Sequence, residues 1–352
     1  MDFRQSITQF FVLGLAAFAV ACASSQSPEP LSAAPDVALT ALAPVEAHGA
    51  LSVSGTFVIN ESGEPVSLAG PSFFWSTTGW GMERFYNAEA VRFFAEDWNA
   101  GIVRAAMAAE REGSYLTEPV ANAERAYTIV DAAIENGLYV IVDWHSHRAE
   151  ENTEEAIAFF KDLAERYGDT PNLIYEIYNE PLDTTDWATV IKPYSEAVIS
   201  EIRKIDPDNL IVVGSQSWDQ EVDKAADDPI TGFDNLVYSV HFYAASHKKA
   251  LREKAQYAID KGLPLMATEW GSVSYDGDGD VDRASSLAWM NFLKENSISH
   301  MMWAVSDADE GAAMFVEGAP ADSGWTDEHL TENGAFAREL IRNWNTGPLP
   351  AE

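Results

Sequence analysis

The sequence predicts a (β/α)8 TIM barrel, an α/β fold, preceded by a short N-terminal β-hairpin. Three observations carry that expectation. Eight short apolar segments alternate with amphipathic helical patterns over about 300 residues, in line with the ~250 or more that such barrels use. The apolar segments are polar almost only at their ends, as in Leu138-Tyr-Val-Ile-Val-Asp143, which suits strands covered on both faces. An open doubly wound sheet, the competing architecture, favours a glycine-rich phosphate loop after its first strand, and Ala69-Gly70-Pro71-Ser72 does not supply one.

In chain order, residues 1–22 read as an export leader. Arg4 gives a weakly positive start, and Phe10 to Val20 form an apolar run too short to span a bilayer. Ala19-Val20-Ala21-Cys22-Ala23 then reads two ways: a signal peptidase site, or a degenerate lipobox that leaves Cys22 as a lipidated first residue. Cys22 is the only cysteine, so no internal disulfide is available. Residues 23–48, rich in Ala, Ser and Pro, read as a flexible tether, and 49–347 as one ordered domain.

Within that domain, Leu51-Ser-Val53, Phe57-Val58-Ile59 and Asn60-Glu61-Ser62-Gly63 predict the hairpin with a Gly-containing turn. Strands are expected at Val66–Trp75, Ile102–Met107, Leu138–His145, Leu173–Asn179, Leu210–Ser215, Leu236–Phe242, Leu263–Trp270 and Ile298–Val305. Helical periodicity is clearest at Ala121–Asn136, Glu154–Tyr167, Trp187–Ile205, Leu251–Lys261 and Ser285–Glu295. Gly137, Gly168 and Gly262 each follow a helix, where the left-handed closing position favours glycine.

Charge narrows the function. With 56 acidic against 22 basic residues the formal net charge is −34. Such a field repels phosphate backbones and anionic headgroups, which argues against nucleic acid as a partner and suits a neutral substrate.

In a barrel, functional groups gather at the C-terminal strand ends. Here those ends carry Arg104, Asp143-Trp144-His145, Asn179-Glu180-Pro181, Trp218, His241-Phe-Tyr243, Thr268-Glu269-Trp270 and Trp303. Polar groups at one end of otherwise apolar strands are expensive to bury without purpose. Glu180 and Glu269 end the fourth and seventh strands, which face each other across a barrel mouth. Glycoside hydrolysis requires such a pair, one carboxyl protonating the leaving oxygen and the other staying ionised. Arg104 and Tyr243 are placed to hold Glu269 ionised, and Asn179 to meet a sugar 2-hydroxyl.

Two other patterns carry less. Trp144-His145-Ser146-His147 lacks the carboxylates a metal site needs, and Asp276-Gly-Asp278-Gly-Asp280 departs from a calcium loop at Val281 and Leu287, so no metal and no cofactor is expected. Trp75, Trp80, Trp218 and Trp325 are sugar platforms or core, with Trp218 and Trp75 read as platforms.

Ile174-Tyr-Glu-Ile-Tyr-Asn-Glu-Pro181 resembles the acid/base motif of glycoside hydrolase family 5. Val-Asp-Trp-His145, His241-Phe-Tyr243, Thr-Glu269-Trp-Gly271 and Trp303 follow in that family's order. The resemblance, to bacterial endoglucanases of that family, runs from Leu51 to Trp344. It implies a retaining endo-β-1,4-glucanase acting on β-glucan chains. Glu180 would be acid/base, Glu269 nucleophile, and Arg104, His145, Asn179, His241, Tyr243 and Trp303 supporting. Two positions depart from the pattern. Phe73-Phe74 stands where many relatives have a His, and Ala308 replaces the Lys of an Asp-Lys-x-Glu run ending here at Glu310. The glycan therefore stays open between cellulose-type chains and mannan, xylan or mixed-linkage glucan. A non-catalytic carbohydrate-binding lipoprotein is the alternative from another class.

Overall fold

Eight parallel strands close on themselves in the computed structural model, which describes residues 42–350. The expected leader, Cys22 and most of the expected tether lie outside the described residues. The tether's last residues differ from expectation: Pro44–His48 form a short helix, and the Val45 N–H donates to Gly137 O at 2.9 Å.

The hairpin pairs β1 (Ser52–Ser54) with β2 (Phe57–Ile59). Its turn is Gly55-Thr56, and Asn60–Gly63 makes a second turn that brings Pro65 back beside Ile59. The barrel follows: β3 (Ala69–Phe73), β4 (Ile102–Ala108), β5 (Tyr139–His145), β6 (Leu173–Glu176), β7 (Ile211–Val213), β8 (Leu236–Ser239), β9 (Phe242–Tyr243), β10 (Leu265–Gly271) and β11 (His300–Val305). β9 continues the line of β8 after a break at Val240-His241, and both pair with β10. β11 pairs with both β10 and β3, which closes the ring. All eight expected strands are present, most of them shorter than their apolar runs.

The helices lie where periodicity predicts, with refinements at their ends. Thr153–Tyr167 and Pro119–Glu135 bury their apolar faces against the outside of the barrel. The segment expected as one helix from Trp187 begins as a π turn (Trp187–Ile191) and continues as an α-helix (Lys192–Ile202). Pro193, with no N–H to donate, sits where one hands over to the other. Gly137 and Gly262 are left-handed, at φ 66° and 95°. Gly168 is not: it stays in the right-handed region at φ −59°, and a Cβ there would lie 2.6 Å from Ala164 O, so close packing explains this glycine. Three further helices, Ala88–Glu96, Val222–Asp227 and Glu332–Asn343, also pack around the barrel.

Inside the barrel, Ile102, Ile141, Ile174, Val212, Val237, Met266 and Met301 form an apolar layer with Leu51 and Val58 of the hairpin. The hairpin thereby plugs the N-terminal end, aided by Tyr139 Oη donating to Gly49 O at 2.6 Å. Burial of each of these two hairpin side chains is worth roughly 1.5–3 kcal/mol. Side chains alternate along a strand, so the residues two positions on also face inward. Among those are Arg104, Asp143, Glu176, Ser239 and Thr268, all fully buried. A polar layer thus sits directly on the apolar one, at the C-terminal mouth.

Candidate active site

Arg104 organises this layer. Its five N–H donors are all used: Nε to Glu176 Oε2 (2.7 Å), Nη1 to Ser72 Oγ (3.2 Å) and Glu269 Oε2 (3.1 Å), Nη2 to Asp143 Oδ2 (2.8 Å) and Asn179 Oδ1 (2.6 Å). A guanidinium is the one side chain with enough fixed donors for this task. The arrangement fixes Asn179 too, because only its oxygen can accept from Arg104. Its Nδ2 is left buried and without a protein partner, a free donor beside Glu180.

Glu269 enters the layer through an irregularity. β10 pairs with β11 at Ala267 and again at Trp270 with a shift of register between them. Such a bulge lets two consecutive residues face one side. Thr268 donates to Glu176 Oε1 (2.6 Å), while Glu269 Oε1 accepts from Tyr243 Oη (2.9 Å) and its Oε2 from Arg104. Trp270 points outward and stacks on Phe242 in the core.

Glu180 follows β6 on a loop. Its Oε1 lies 3.0 Å from His241 Nδ1, and His147 Nδ1 lies 3.7 Å from its Oε2. His241 Nε2 lies 2.8 Å from Thr268 Oγ1. Thr268 spends its hydrogen on Glu176, so it must accept from Nε2–H. Nε2 therefore always carries a hydrogen, and Nδ1 either donates to an ionised Glu180 or accepts from a protonated one. One proton is shared across the Glu180–His241 contact.

An oxygen of Glu180, a ring nitrogen of His241 and an oxygen of Glu269 all lie within 4.8 Å of one another. A metal ion uses similar spacings. Here, however, both His241 nitrogens face Glu180 and Thr268, and both Glu269 oxygens already hold donors, which is the wiring of a proton-transfer site.

The electrostatics modify the expected assignment. Burial pushes Glu269 up and the charge of Glu180 adds to it, against His241, Arg104 and the Tyr243 hydrogen bond. Burial pushes Glu180 up as well, but the hydrogen bond and charge of His241, with His147 and Arg104, hold it below the usual carboxylate range. Arg104 and Tyr243 favour the ionised form of Glu269, as expected, but burial and the charge of Glu180 outweigh them. The two carboxylates titrate as a pair, and their proton is held jointly with His241. Burial drives His241 down, yet Asp219, Glu176, Glu180 and Glu269 together hold it well above the normal range. His145 is the opposite case: burial, then Arg104, keep it neutral. Its Nδ1 meets Asp143 Oδ2 at 2.6 Å, and its ring stacks on Trp303 with centroids 5.3 Å apart.

Above this layer opens a cavity of about 920 Å³, lined by Phe74, Trp75, Trp80, Arg111, His145, His147, Glu180, Tyr243, Glu269, Trp303, Ala308 and Glu310 among others. Arg104, Asn179 and His241 stand behind the lining. Trp75, read as a platform, is buried with its ring edge-on to His145 at 4.1 Å. Trp80 is 43% exposed, and the Arg111 guanidinium lies over both indoles, so Trp80 is the accessible one of the two. Trp218 is 37% exposed but outside the cavity lining, and Trp325 is core, stacked on Phe315 and Phe94. Glu310 lines the wall beside Ala308; burial, with Asp278 and Glu269, pushes its carboxyl up to about 7.

Sequence reading passed over Glu176 and Asp219 as site residues. The signal for Glu176 is an ionisable residue inside an apolar strand. Asp219 has no such signal. It arrives through Ser217, Trp218 and Asp219 at φ 60°, 54° and 60°, three consecutive left-handed residues without a glycine. Each such residue costs on the order of 1–3 kcal/mol.

Two carboxylates this close across a barrel mouth, each with its own donors, are the equipment of a retaining glycoside hydrolase, whose pair stands about 5–5.5 Å apart. The chain belongs to glycosyl hydrolase family 5, the cellulase family, whose model matches residues 59–309. It is 48% identical over 295 residues to endoglucanase Z of Dickeya dadantii, covering 84% of this chain and 66% of that protein. It is 38% identical over 304 residues to an endoglucanase of Clostridium saccharobutylicum, covering 85% and 66%. The chain thus spans just under two thirds of the length of these relatives. Among solved structures, one from Cytophaga hutchinsonii superposes with a TM-score of 0.83 at 41% identity, covering 86% of this chain and 97% of that one. The catalytic domain of Thermobifida fusca endoglucanase Cel5A superposes with a TM-score of 0.80 at 32% identity, covering 86% and 100%.

Proposed function

We propose that the chain is a retaining endo-β-1,4-glucanase that cuts cellulose-type chains by double displacement. The observation that carries this reading is the Glu180–Glu269 pair, within 4.8 Å and wired to different donors. Glu180 protonates the glycosidic oxygen while ionised Glu269 attacks the anomeric carbon, forming a covalent glycosyl-enzyme. Glu180, now ionised, takes a proton from water, and the resulting hydroxide equivalent displaces Glu269. Asn179 Nδ2 is the free donor for the sugar 2-hydroxyl, a contact that strengthens in the transition state. The open cleft suits internal cutting. The names of the relatives point the same way, and a glutamate-to-glutamine variant of the Thermobifida fusca enzyme was crystallised with cellotetraose.

Glu269→Gln should abolish release of reducing sugar from carboxymethyl-cellulose while the fold is retained; a variant with wild-type turnover overturns the assignment. A parallel panel of cellulose, mannan, xylan and mixed-linkage glucan decides the sugar, with Ala308 and the neighbouring Glu310 the reason to run it. We also propose that the protein is exported, on the strength of the leader sequence. Mass spectrometry of the mature N-terminus separates a lipidated Cys22 from a freely secreted chain.

A further inference from the structure

Asp219 is a fully buried carboxylate that double displacement leaves without a task. Its Oδ1 accepts from the Ser215 N–H and its Oδ2 from the Ser239 hydroxyl, and that Oδ2 lies 3.4 Å from His241 Nε2. The left-handed run that delivers it is braced against the loop carrying Glu180: the Trp218 N–H donates to Pro181 O at 2.8 Å. Strain of this kind persists where the surroundings over-determine it, and it clusters at functional sites.

We propose that Asp219 is a positioning residue for the acid/base step, its buried negative charge holding on the His241–Glu180 pair the proton that Glu180 delivers. This rests on the reading of Glu180 as acid/base. Four carboxylates face the imidazole: Asp219 from the turn after β7, Glu176 from β6, Glu180 from the loop beyond it, and Glu269 from β10. Glu176 and Glu269 are already paired with Arg104, and His147 also faces Glu180. Among the described residues, Asp219 has no cation other than His241 within ion-pair distance. Its charge therefore acts on the imidazole undivided, which in low dielectric is worth far more than at a surface. When the glycosidic oxygen draws on the pair, the one shared proton passes from His241 Nδ1 through the Glu180 carboxyl to the leaving oxygen, and Glu180 is left ionised. The imidazole is left neutral, with Nε2–H still donating to Thr268. Burial pushes the Asp219 carboxyl well above its ordinary range, and His241, the Ser239 hydroxyl and the Ser215 N–H act against it, each favouring the ionised form that the proposal uses.

The test is Asp219→Asn, with kcat/KM followed against pH on cellotetraose and on dinitrophenyl β-cellobioside, whose leaving group needs no proton. Removing a buried negative charge lowers the proton affinity of the pair. The alkaline limb on cellotetraose should therefore move down by about one pH unit. The activated substrate should keep its kcat/KM within about twofold. An unmoved limb, or equal losses on both substrates, assigns Asp219 a merely structural role and overturns the proposal. Wild-type protein that cleaves neither substrate sinks the glucanase reading instead. The unsubstituted protein offers a check that needs no variant: nitrogen NMR should find both His241 ring nitrogens protonated near neutral pH, about half a unit above the free side chain. A neutral ring there also overturns the proposal.

Discussion

Tyr243 Oη stands 2.9 Å from Glu269 Oε1 and holds the oxygen that Arg104 leaves free. Burial and the neighbouring charges of Glu269 and Glu180 keep the phenol protonated, so it donates throughout the working range. The hydrogen bond favours the ionised carboxylate. Tyr243→Phe should therefore raise the proton affinity of Glu269 and move the acid limb of kcat/KM to higher pH. A bond to a charged group is worth about 1.5–3 kcal/mol, so kcat/KM should fall by on the order of 10- to 100-fold. A pH–rate profile on cello-oligosaccharides reads both effects.

Glu180→Gln removes the proton donor and leaves the nucleophile. Loss of general acid–base assistance should lower kcat on unactivated chains by about 10²–10⁴-fold. On an aryl cellobioside with a good leaving group the first step should survive, and the glycosyl-enzyme should accumulate. Intact-protein mass spectrometry then shows the added mass, and azide, which needs no general base, restores turnover with a β-glycosyl azide as product.

Glu310 titrates near 7 in the cavity wall, raised first by burial. One of its oxygens is buried without a partner. Protonated, it can donate to a sugar hydroxyl; ionised, it must be desolvated against a neutral chain. KM for cello-oligosaccharides should rise severalfold as pH passes upward through about 7, with kcat less affected. Glu310→Gln should flatten that dependence, as initial rates across the pH range will register.

Arg104→Ala should destabilise the fold as well as silence it. Asp143, Glu176 and Glu269 would lose their shared cation inside the barrel. Breaking a buried pair by removing one partner costs about 3–5 kcal/mol, which thermal melting should report as a drop in Tm on the order of 10 °C.

Much of this was legible beforehand because strand ends break an apolar run. His145, Glu180, His241 and Glu269 announce themselves as polar residues where a covered strand should stop, and a barrel gathers such ends by construction. Glu176 was harder, because one acidic residue among Tyr175 and Ile177 looks like a lapse in the pattern until Arg104 is placed opposite it. Asp219 was beyond reach. Its position depends on three consecutive left-handed torsions, which Asp219 tolerates but which Ser217 and Trp218 give no reason to expect. Gly168 misled for a related reason: a glycine after a helix serves close packing as readily as left-handed torsion. How Glu180 and Glu269 share their proton with His241 also depends on which charges touch the imidazole, which chain order does not encode.

The shift of register in β10 has a consequence for how this protein can vary. Between Ala267 and Trp270 the strand spends one residue without advancing its partner, and that spare step alone turns Glu269 to the same side as Thr268. A single deletion there would realign the strand, leave a well-covered barrel, and rotate the carboxylate among the tryptophans outside. Side chains around the mouth can be exchanged one at a time, with graded loss. The tally of residues in this one strand is all-or-nothing, so lineages of this chain should tolerate changed letters in β10 and never a changed length.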